Sequence, residues 1–313
     1  MKLSKPKFWD TKISFYSIFL FPISLGVSLF IFLKKKIIKP IKFNIPIICV
    51  GNIYIGGTGK TPTSILLATT LAKIGKKPMI LRKYYKSHVD EHNLIKNEFK
   101  HLVLCRKRID GIKEVNKSKY DCVILDDGFQ DYKIKKDLSI LCFNQRQLIG
   151  NGLILPAGPL RESLNSINSA DIVLINGKKD EDFEKKILNI NTNLKIYYAQ
   201  YKPINIEQFK NKDLFAIAAI GNPDNFFELI KKNKLNIKRK LVFPDHYEFS
   251  KNELQDIIEI AKQKNYQIIT TEKDYFKVKH FNFKEIKCLK VSLEINDKHQ
   301  LIKSITKLYD KNN

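Results

Sequence analysis

The chain has 313 residues, of which 43% are hydrophobic and 28% charged, and this balance is typical of a folded rather than a disordered protein. Its formal net charge is +24, which favours anionic partners such as a lipid surface, nucleotide phosphates or nucleic acid. Lysine is abundant along the whole chain, so composition drift is an equally good explanation of much of this excess. No zinc-finger spacing, helix-turn-helix signature or arginine-rich aromatic stretch is present, and we therefore expect no nucleic acid partner. No obligate protein partner is evident.

The cysteines are scattered, odd in number and without a Cys-x-x-Cys pair, which is typical of a reducing compartment rather than of a disulfide-stabilised secreted protein. Three of them interrupt apolar runs and are expected to be buried as small hydrophobic residues: Cys49, Cys122 and Cys142.

An uncharged, apolar segment runs from Ile13 to Leu33, just long enough to cross a hydrocarbon core of about 30 Å as a helix. Lys34 to Lys36 follow at once and no small-x-small site ends the run, which disfavours a cleaved signal peptide. A transmembrane helix fits the length, whereas a helix lying in the membrane surface fits the serines, which share one helical face: Ser14, Ser17, Ser24 and Ser28. A helix buried in a soluble core is the alternative. In either membrane arrangement the lysines keep the following chain in the cytoplasm.

After Pro40 the pattern changes to short, continuous apolar runs that alternate with helical stretches, which predicts a parallel sheet covered on both faces. We predict a helix at 60–74 and strands at 45–50, 78–81, 122–125, 138–143 and 172–175. A second, smaller α/β unit begins near residue 201, with strands at 214–220 and 266–270. In it, Pro223 opens one helix, and a capping box of Ser250 with Glu253 opens another that continues to Lys264. The predicted domains are a membrane-anchoring segment at 1–42, a first lobe at 43–200 and a second lobe at 201–313.

A glycine-rich loop follows the first predicted strand and opens the first helix of the sheet, with the residues Gly56, Gly57, Thr58, Gly59, Lys60 and Thr61. In this context the backbone N–H groups surround phosphate oxygens, Lys60 reaches the β- and γ-phosphates and the Thr61 hydroxyl holds Mg²⁺. The loop therefore predicts ATP binding and a first lobe with a P-loop NTPase-like parallel sheet. The usual pattern has a glycine six residues before the lysine, and here that residue is Tyr54.

Two adjacent carboxylates, Asp126 and Asp127, end the buried run that begins at Cys122. Alone, Asp-Asp-Gly after a strand is more often a turn. Behind a phosphate loop the same residues predict a Mg²⁺ site, with one of the two carboxylates binding the ion directly or through water.

Several motifs in order resemble the tetraacyldisaccharide 4'-kinase family, and together they cover most of the chain. They are Gly51-Asn52 with Gly56 to Pro62, Asp126 to Gln130, Gly150 to Gly152 with Leu155 to Glu162, Ala219 to Pro223 with Phe226-Phe227, Asp245-His246, and Thr270 to Asp274. The resemblance implies a kinase that transfers the γ-phosphate of ATP to the 4'-hydroxyl of tetraacyldisaccharide 1-phosphate, forming lipid IVA in lipid A (lipopolysaccharide) biosynthesis. It also implies a glycolipid substrate and a location on the cytoplasmic face of the bacterial inner membrane.

The resemblance further implies a catalytic pair, Asp90 as general base and His246 as the residue that orients it. A sugar hydroxyl is a weak nucleophile, so a positioned carboxylate that accepts its proton suits the reaction. The sequence departs from the family between Leu81 and Tyr85, where two glycines are lost, and at Val89, which replaces a glycine. These departures affect the acceptor side more than nucleotide binding.

Two other functions compete with this one. The first is a P-loop kinase or ATPase that acts at a membrane on a different acceptor, because only the resemblance identifies the acceptor. The second is a nucleotide-dependent switch protein. The guanine-reading block of such proteins, Asn/Thr-Lys-x-Asp, is not matched by Thr271-Glu272-Lys273-Asp274, in which the lysine comes one place late.

Overall fold

The computed structural model describes residues 6–11, 13–245 and 247–310. Within them the chain forms two compact units. Residues 6–84, 99–200 and 294–310 form the phosphate-loop unit, and residues 85–98 and 201–293 form the second unit. The predicted boundary between 200 and 201 coincides with a border of these units. The units differ from the predicted domains in three segments. Residues 6–42 belong to the phosphate-loop unit rather than to a separate unit, 85–98 belongs to the second unit, and 294–310 returns to the phosphate-loop unit.

The described residues contain twelve strands in two sheets. They are β1 (Ile47–Gly51), β2 (Pro78–Lys83), β3 (Leu102–Cys105), β4 (Cys122–Asp126), β5 (Leu138–Asn144), β6 (Ile172–Asn176), β7 (Lys195–Pro203), β8 (Asp213–Ala218), β9 (Asn236–Val242), β10 (Gln267–Thr271), β11 (Ile286–Leu289) and β12 (Val291–Ile295). The larger sheet has the order β12-β7-β6-β5-β1-β4-β2-β3, and the smaller has the order β11-β10-β8-β9. Neighbouring strands from β7 to β3, and all neighbours in the smaller sheet, pair in parallel.

Nine α-helices lie in the same described part of the chain. They are α1 (Phe15–Ile37), α2 (Lys60–Lys73), α3 (Val89–Glu98), α4 (Arg108–Asn116), α5 (Glu181–Leu188), α6 (Pro223–Lys232), α7 (Lys251–Gln263), α8 (Glu272–Val278) and α9 (Lys298–Asp310). The predicted α/β class with a parallel sheet is confirmed.

The core of the phosphate-loop unit is its sheet, and every residue of β1, β4, β5 and β6 is buried. Burial on both faces explains why these strands have continuous rather than alternating apolar sequences. Cys49, Cys122 and Cys142 lie in these strands and are buried, as predicted. Strands of this kind direct their carboxyl ends to one edge of the sheet, where the phosphate loop and the two adjacent aspartates are found.

The helices of the second unit begin at residues that the sequence marks as caps. Ser250 accepts a hydrogen bond from the backbone N–H of Glu253 at 3.2 Å, which confirms the predicted start of α7. Asn222 accepts one from the N–H of Asn225, and Pro223 then supplies the first residue of α6. Each helix buries an apolar stripe against the smaller sheet, including Phe227 and Ile257.

Helix α1 contacts the rest of the phosphate-loop unit through its serines and Val27, and it leaves most of its apolar side chains exposed. Ser17 and Ser24 are its two buried residues. The Ser24 hydroxyl donates to the carbonyl of Ile154 at 2.8 Å and accepts from the N–H of Ala157 at 2.9 Å. In the described part of the chain, α1 is the one helix long and apolar enough to cross a membrane. Polar contact with the protein and apolar exposure elsewhere agree with a membrane-associated helix.

Candidate active site

The phosphate loop connects β1 to α2, as predicted. Gly59 lies directly before α2 with a φ of 89°, in the left-handed region where a side chain would be strained. Thr58 is fixed from two sides, because the amide of Asn52 donates to its hydroxyl at 2.9 Å and the amide of Asn176 donates to its carbonyl at 2.5 Å. The first turn of α2 therefore directs its free N–H groups to the carboxyl edge of the sheet, where an anion is stabilised.

Tyr54, which stands in place of the usual glycine, is explained by its surroundings. It forms an isolated bridge with Leu160, so its backbone is extended and does not need glycine's conformational freedom. Its ring is fully buried, and its hydroxyl donates to a carboxylate oxygen of Asp10 at 3.3 Å. The start of the phosphate loop is therefore held by its contact with the segment at 150–162, and this position does not need a glycine.

Asp126 is fully buried at the end of β4 and contacts the first turns of α2. Its carboxylate accepts hydrogen bonds from the hydroxyls of Thr61 at 3.1 Å and Ser64 at 3.0 Å. The guanidinium of Arg82, also buried, forms an ion pair with the same carboxylate and donates to the Thr61 hydroxyl at 3.1 Å. Arg82 neutralises a buried charge that would otherwise be costly, a role that sequence reasoning missed.

Asp127 follows Asp126 in the chain, and cationic side chains surround its carboxylate. Its carboxylate lies 3.6 Å from the ammonium of Lys60 and 3.0 Å from the guanidinium of Arg161. Burial by itself would raise the pKa of Asp127, but these cations, with Arg82 and Arg108, outweigh it and hold the pKa below its usual range. Burial also lowers the pKa of Lys60, against the opposing effect of Asp127.

The donor set at this edge suits Mg²⁺. The Thr61 hydroxyl and the Asp126 carboxylate are oxygen ligands in contact, and Asp127 is the next residue. No group of three or more His, Cys, Asp or Glu side chains in the described ranges is arranged to hold a metal. A cation here would therefore be completed by phosphate and water oxygens, as Mg²⁺ commonly is in nucleotide sites.

Asp90 lies in α3, in the second unit and not in the phosphate-loop unit as the sequence had suggested. Its side chain is 3% exposed, and its Oδ2 lies 3.7 Å from the ammonium groups of both Lys273 and Lys277 on α8. Its predicted partner, His246, lies outside the described residues. The neighbouring Asp245 lies in the same unit and accepts a hydrogen bond from Lys273 at 3.1 Å.

Two of the C-terminal motifs meet in this unit. Asp274 is 1% exposed and accepts hydrogen bonds from the N–H of Ala219 at 2.8 Å and from the Thr271 hydroxyl at 2.9 Å. It thereby ties the start of α8 to the end of β8. Lys277, which sequence reasoning missed, donates to Asp274 at 2.7 Å. The sequence contains a signal for this role, because Lys273 and Lys277 are four residues apart and therefore lie on one face of a helix.

Known proteins of one family match this chain over nearly its whole length. The family model of the tetraacyldisaccharide-1-P 4'-kinase matches residues 16–310. The tetraacyldisaccharide 4'-kinase of Pelagibacter ubique is 42% identical over 100% of both chains, and that of Rickettsia canadensis is 35% identical over 98% of both. The structure of LpxK from Aquifex aeolicus in complex with ATP has the same fold, with a TM-score of 0.72 and 24% identity over 93% of this chain and 98% of that one. The chain belongs to the tetraacyldisaccharide 4'-kinase family.

Proposed function

We propose that the chain transfers the γ-phosphate of ATP to the 4'-hydroxyl of tetraacyldisaccharide 1-phosphate, the lipid A step that forms lipid IVA. Membership of the family supports this reaction. One structural observation supports its assignment to particular residues of this chain. Lys60, Thr61, Asp126 and Asp127 converge at the carboxyl edge of the larger sheet, with Thr61 bonded to Asp126 and Lys60 beside Asp127. This is the arrangement that phosphoryl transfer from a nucleotide requires.

ATP is the phosphate donor in this proposal. The backbone N–H groups from Gly56 to Thr61 surround the phosphates, and the Lys60 ammonium offers its charge to the β- and γ-phosphates. The similar Aquifex aeolicus protein was solved with ATP, which supports the same donor here. The guanidinium of Arg161 lies 3.0 Å from the Asp127 carboxylate and would offer the phosphates a second cation beside Lys60.

Thr61 and Asp126 would hold Mg²⁺, with Asp127 binding it directly or through water. When bound, the ion neutralises charge on the phosphate oxygens. Arg82 forms an ion pair with the Asp126 carboxylate and a hydrogen bond to the Thr61 hydroxyl, which orients the two ligands towards each other. Since ionised carboxylates are the preferred ligands of hard cations, this pairing prepares the site.

In the transfer step the 4'-oxygen of the acceptor forms a bond to the γ-phosphorus while the bond from that phosphorus to the bridging oxygen breaks. ADP leaves with the electron pair of that bond, and the proton of the 4'-hydroxyl passes to the carboxylate of Asp90. His246 orients Asp90 in this proposal, a role taken from the family resemblance. The Asp90 Oδ2 lies 3.7 Å from the ammonium groups of Lys273 and Lys277.

The reaction is proposed to take place at the cytoplasmic face of the bacterial inner membrane. The acceptor carries four acyl chains, and α1 exposes apolar side chains such as Phe15 and Phe19, which are 78% and 72% exposed. Three lysines at the end of α1, Lys34 to Lys36, suit anionic lipid headgroups. The helix therefore brings the enzyme to the surface in which its acceptor lies.

An acceptor panel tests the proposal. The purified protein is incubated with ATP, Mg²⁺ and one of three acceptors: tetraacyldisaccharide 1-phosphate, its 4'-deoxy analogue or an unrelated glycolipid. The masses of the products are measured by mass spectrometry. We expect the mass of one phosphoryl group on the first acceptor alone. Phosphorylation of the 4'-deoxy analogue would contradict the assigned position. Phosphorylation of the unrelated glycolipid alone would indicate a different kinase, and guanine-nucleotide binding without transfer would indicate a switch protein.

A further inference from the structure

The last turn of α1 contacts the residue that directly follows Arg161. We propose that Lys35 and Glu162 are positioning residues for Arg161, which fix the place of its guanidinium at the candidate active site. The inference rests on the proposed function, in which Arg161 offers the phosphates a second cation. It gives the membrane-associated helix a part in phosphate transfer that the proposed function did not assign to it.

Lys35 and Glu162 form an ion pair whose carboxylate is buried. The ammonium of Lys35 lies 2.5 Å from Oε2 of Glu162, and the two side chains are 33% and 1% exposed. The same ammonium lies 5.0 Å from the centre of the Tyr132 ring, which is within the range of a cation–π contact. A buried carboxylate is costly unless a cation pairs with it, so this contact ties Glu162 to the end of α1.

Arg161 is held on its other side by the candidate active site. Its guanidinium donates to both carboxylate oxygens of Asp127, at 3.0 and 3.3 Å. Its backbone N–H donates at 2.7 Å to the carbonyl of Ile53, which lies between β1 and the glycines of the phosphate loop. Because Arg161 and Glu162 are consecutive, the ion pair with α1 limits where this guanidinium can lie.

Helix α1 supports the segment at 151–162 along its length. Three residues of the helix make the contacts, in the order of the chain: Ser17 with Asn151, Ser24 with Ile154 and Ala157, and Lys35 with Glu162. Their spacings of seven and eleven residues are close to two and three helical turns, so the three side chains share one side of the helix. They span about 27 Å of helix. A rigid element in contact with both ends of this segment restricts the movement of Arg161.

Two other lysines near the end of α1 separate the ion pair from attraction to lipid. Lys36 lies in the same last turn, and its ammonium lies over the ring of Phe32 in the same helix. Lys36→Met removes the same charge from the lipid surface as Lys35→Met does, so the two variants should float equally with anionic vesicles. Lys39 is exposed just beyond the helix, and Lys39→Met should leave kcat unchanged.

Activity is measured in neutral detergent micelles, which remove the contribution of lipid charge. In Lys35→Met and Glu162→Gln, kcat should fall roughly tenfold to hundredfold, because misplacing a catalytic group by about 1 Å can cost this much. The KM for ATP should stay unchanged, since the charge that Arg161 stabilises develops during the transfer. Lys35→Arg keeps the cation and should restore part of the loss. Equal losses of kcat in Lys35→Met and Lys36→Met would contradict the inference.

Hydrogen–deuterium exchange tests the contact without turnover. Peptides that cover 153–162 should exchange faster in Lys35→Met than in the wild-type protein, because the segment has lost its contact with the end of α1. The same peptides should exchange at the wild-type rate in Lys39→Met. Unchanged exchange in Lys35→Met would overturn the inference, whatever reaction the protein catalyses.

The decisive experiment combines Lys35→Met with Arg161→Met and measures kcat for both single variants and the double variant. If Lys35 acts through Arg161, its replacement should change kcat by less than about twofold once Arg161 is already replaced. A full additional loss in the double variant would overturn the inference. Wild-type kcat in folded Lys35→Met and Glu162→Gln, with Arg161→Met impaired, would also overturn it and would leave the proposed function intact.

A failure of the proposed function gives a different result, because the wild-type protein would then transfer phosphate to none of the acceptors, and the inference would fall with it. Melting temperatures accompany every variant, since Lys35→Met leaves a buried carboxylate without its cation. Should Lys35→Met fail to fold, its combination with Glu162→Gln removes both charges and is tested alone and with Arg161→Met. Wild-type kcat in this folded combination would overturn the inference.

Discussion

The hydroxyl of Thr61 donates a hydrogen bond of 3.1 Å to the carboxylate of Asp126, joining the first turn of α2 to the end of β4. The parallel pairing of β1 with β4 accounts for this contact, because it aligns Val50 with Asp126 at the edge where the phosphate loop begins. Two residues that are far apart in the sequence are thus adjacent by topology.

Replacing Lys60 by Ala should abolish transfer while the protein stays folded. The ammonium stabilises charge that develops on the transferring phosphoryl group, and its loss is expected to lower kcat by at least about 10²-fold. Phosphate transfer and circular dichroism are the measurements. Near-normal turnover in the folded variant would remove the phosphate-loop assignment.

The stability of a Lys60 variant is predicted from the lowered pKa. Because burial lowers the pKa of Lys60 in the folded state, the unfolded chain binds the proton more tightly, and the charged lysine reduces stability at neutral pH. Lys60→Met should therefore unfold at the same or a higher temperature than the wild-type protein at pH 7. The difference should shrink as the pH rises through the folded-state pKa towards the unfolded value. A lower unfolding temperature at pH 7 would contradict this explanation.

Asp126→Asn and Asp127→Asn should each lower activity steeply. At least one of them should recover part of its activity at high Mg²⁺, because an amide is a weaker ligand than a carboxylate for a hard cation. Activity is measured against Mg²⁺ concentration, with Asp131→Asn as a control, since this nearby aspartate pairs with Arg108 instead. If the Mg²⁺ dependence is unaltered in both variants, the two carboxylates have a structural role.

Asp127 should contribute a stability that disappears in acid. Its folded-state pKa is depressed by Lys60 and Arg161 in spite of burial, so the contribution is complete above the unfolded pKa of about 3.9. It is lost as the pH falls through the folded value. Denaturant unfolding of the wild-type protein and Asp127→Asn should show a clear gap at pH 7 that narrows below pH 4. A gap of the same size at pH 7 and pH 3 would show that the ion pairs do not stabilise the fold.

Deleting residues 1–36 should move the protein from the membrane to the soluble fraction. A finer variant, Phe19→Glu with Phe30→Glu, places two charges on the exposed apolar side of α1, where the two side chains are 72% and 64% exposed. It should weaken flotation with anionic vesicles, because apolar burial and charge attraction act together. Ile204→Glu, at a residue 64% exposed outside this helix, is the matched control. Truncated protein that stays on membranes after a high-salt wash would reveal a second anchor.

Asp90→Ala and His246→Ala should each reduce kcat by a large factor with little change in ATP affinity. If the two residues act as a pair, removing either disables the same step, so the double variant should be scarcely worse than the weaker single variant. Losses that multiply would show that they act independently. If the Asp90→Ala variant retained most of the wild-type activity, Asp126 or Asp127 would be the better candidate for the base.

The parallel sheet and the nucleotide side of the site could be predicted because their signals are local. Continuous apolar runs locate β1, β4, β5 and β6, and the glycine loop and the two aspartates directly follow β1 and β4. The half-buried β3 is an apolar run of only four residues, Leu102–Cys105, too short to be distinguished from a helical or loop segment by its pattern, and it was missed. The placement of Asp90 in the second unit depends on contacts between α3 and α8, which neither segment signals by itself. Arg82 pairs with Asp126 because β2 and β4 are neighbours in the sheet, a relationship that neither strand signals by itself.

The central claim is tested most directly by following the γ-phosphate itself. Purified protein is given ATP labelled at the γ-phosphate, Mg²⁺ and tetraacyldisaccharide 1-phosphate, beside Lys60→Ala as the matched control. We expect the wild-type protein to transfer label to the 4'-position of the disaccharide and the variant not to do so. Label released only as inorganic phosphate, or equal transfer by Lys60→Ala, would contradict it.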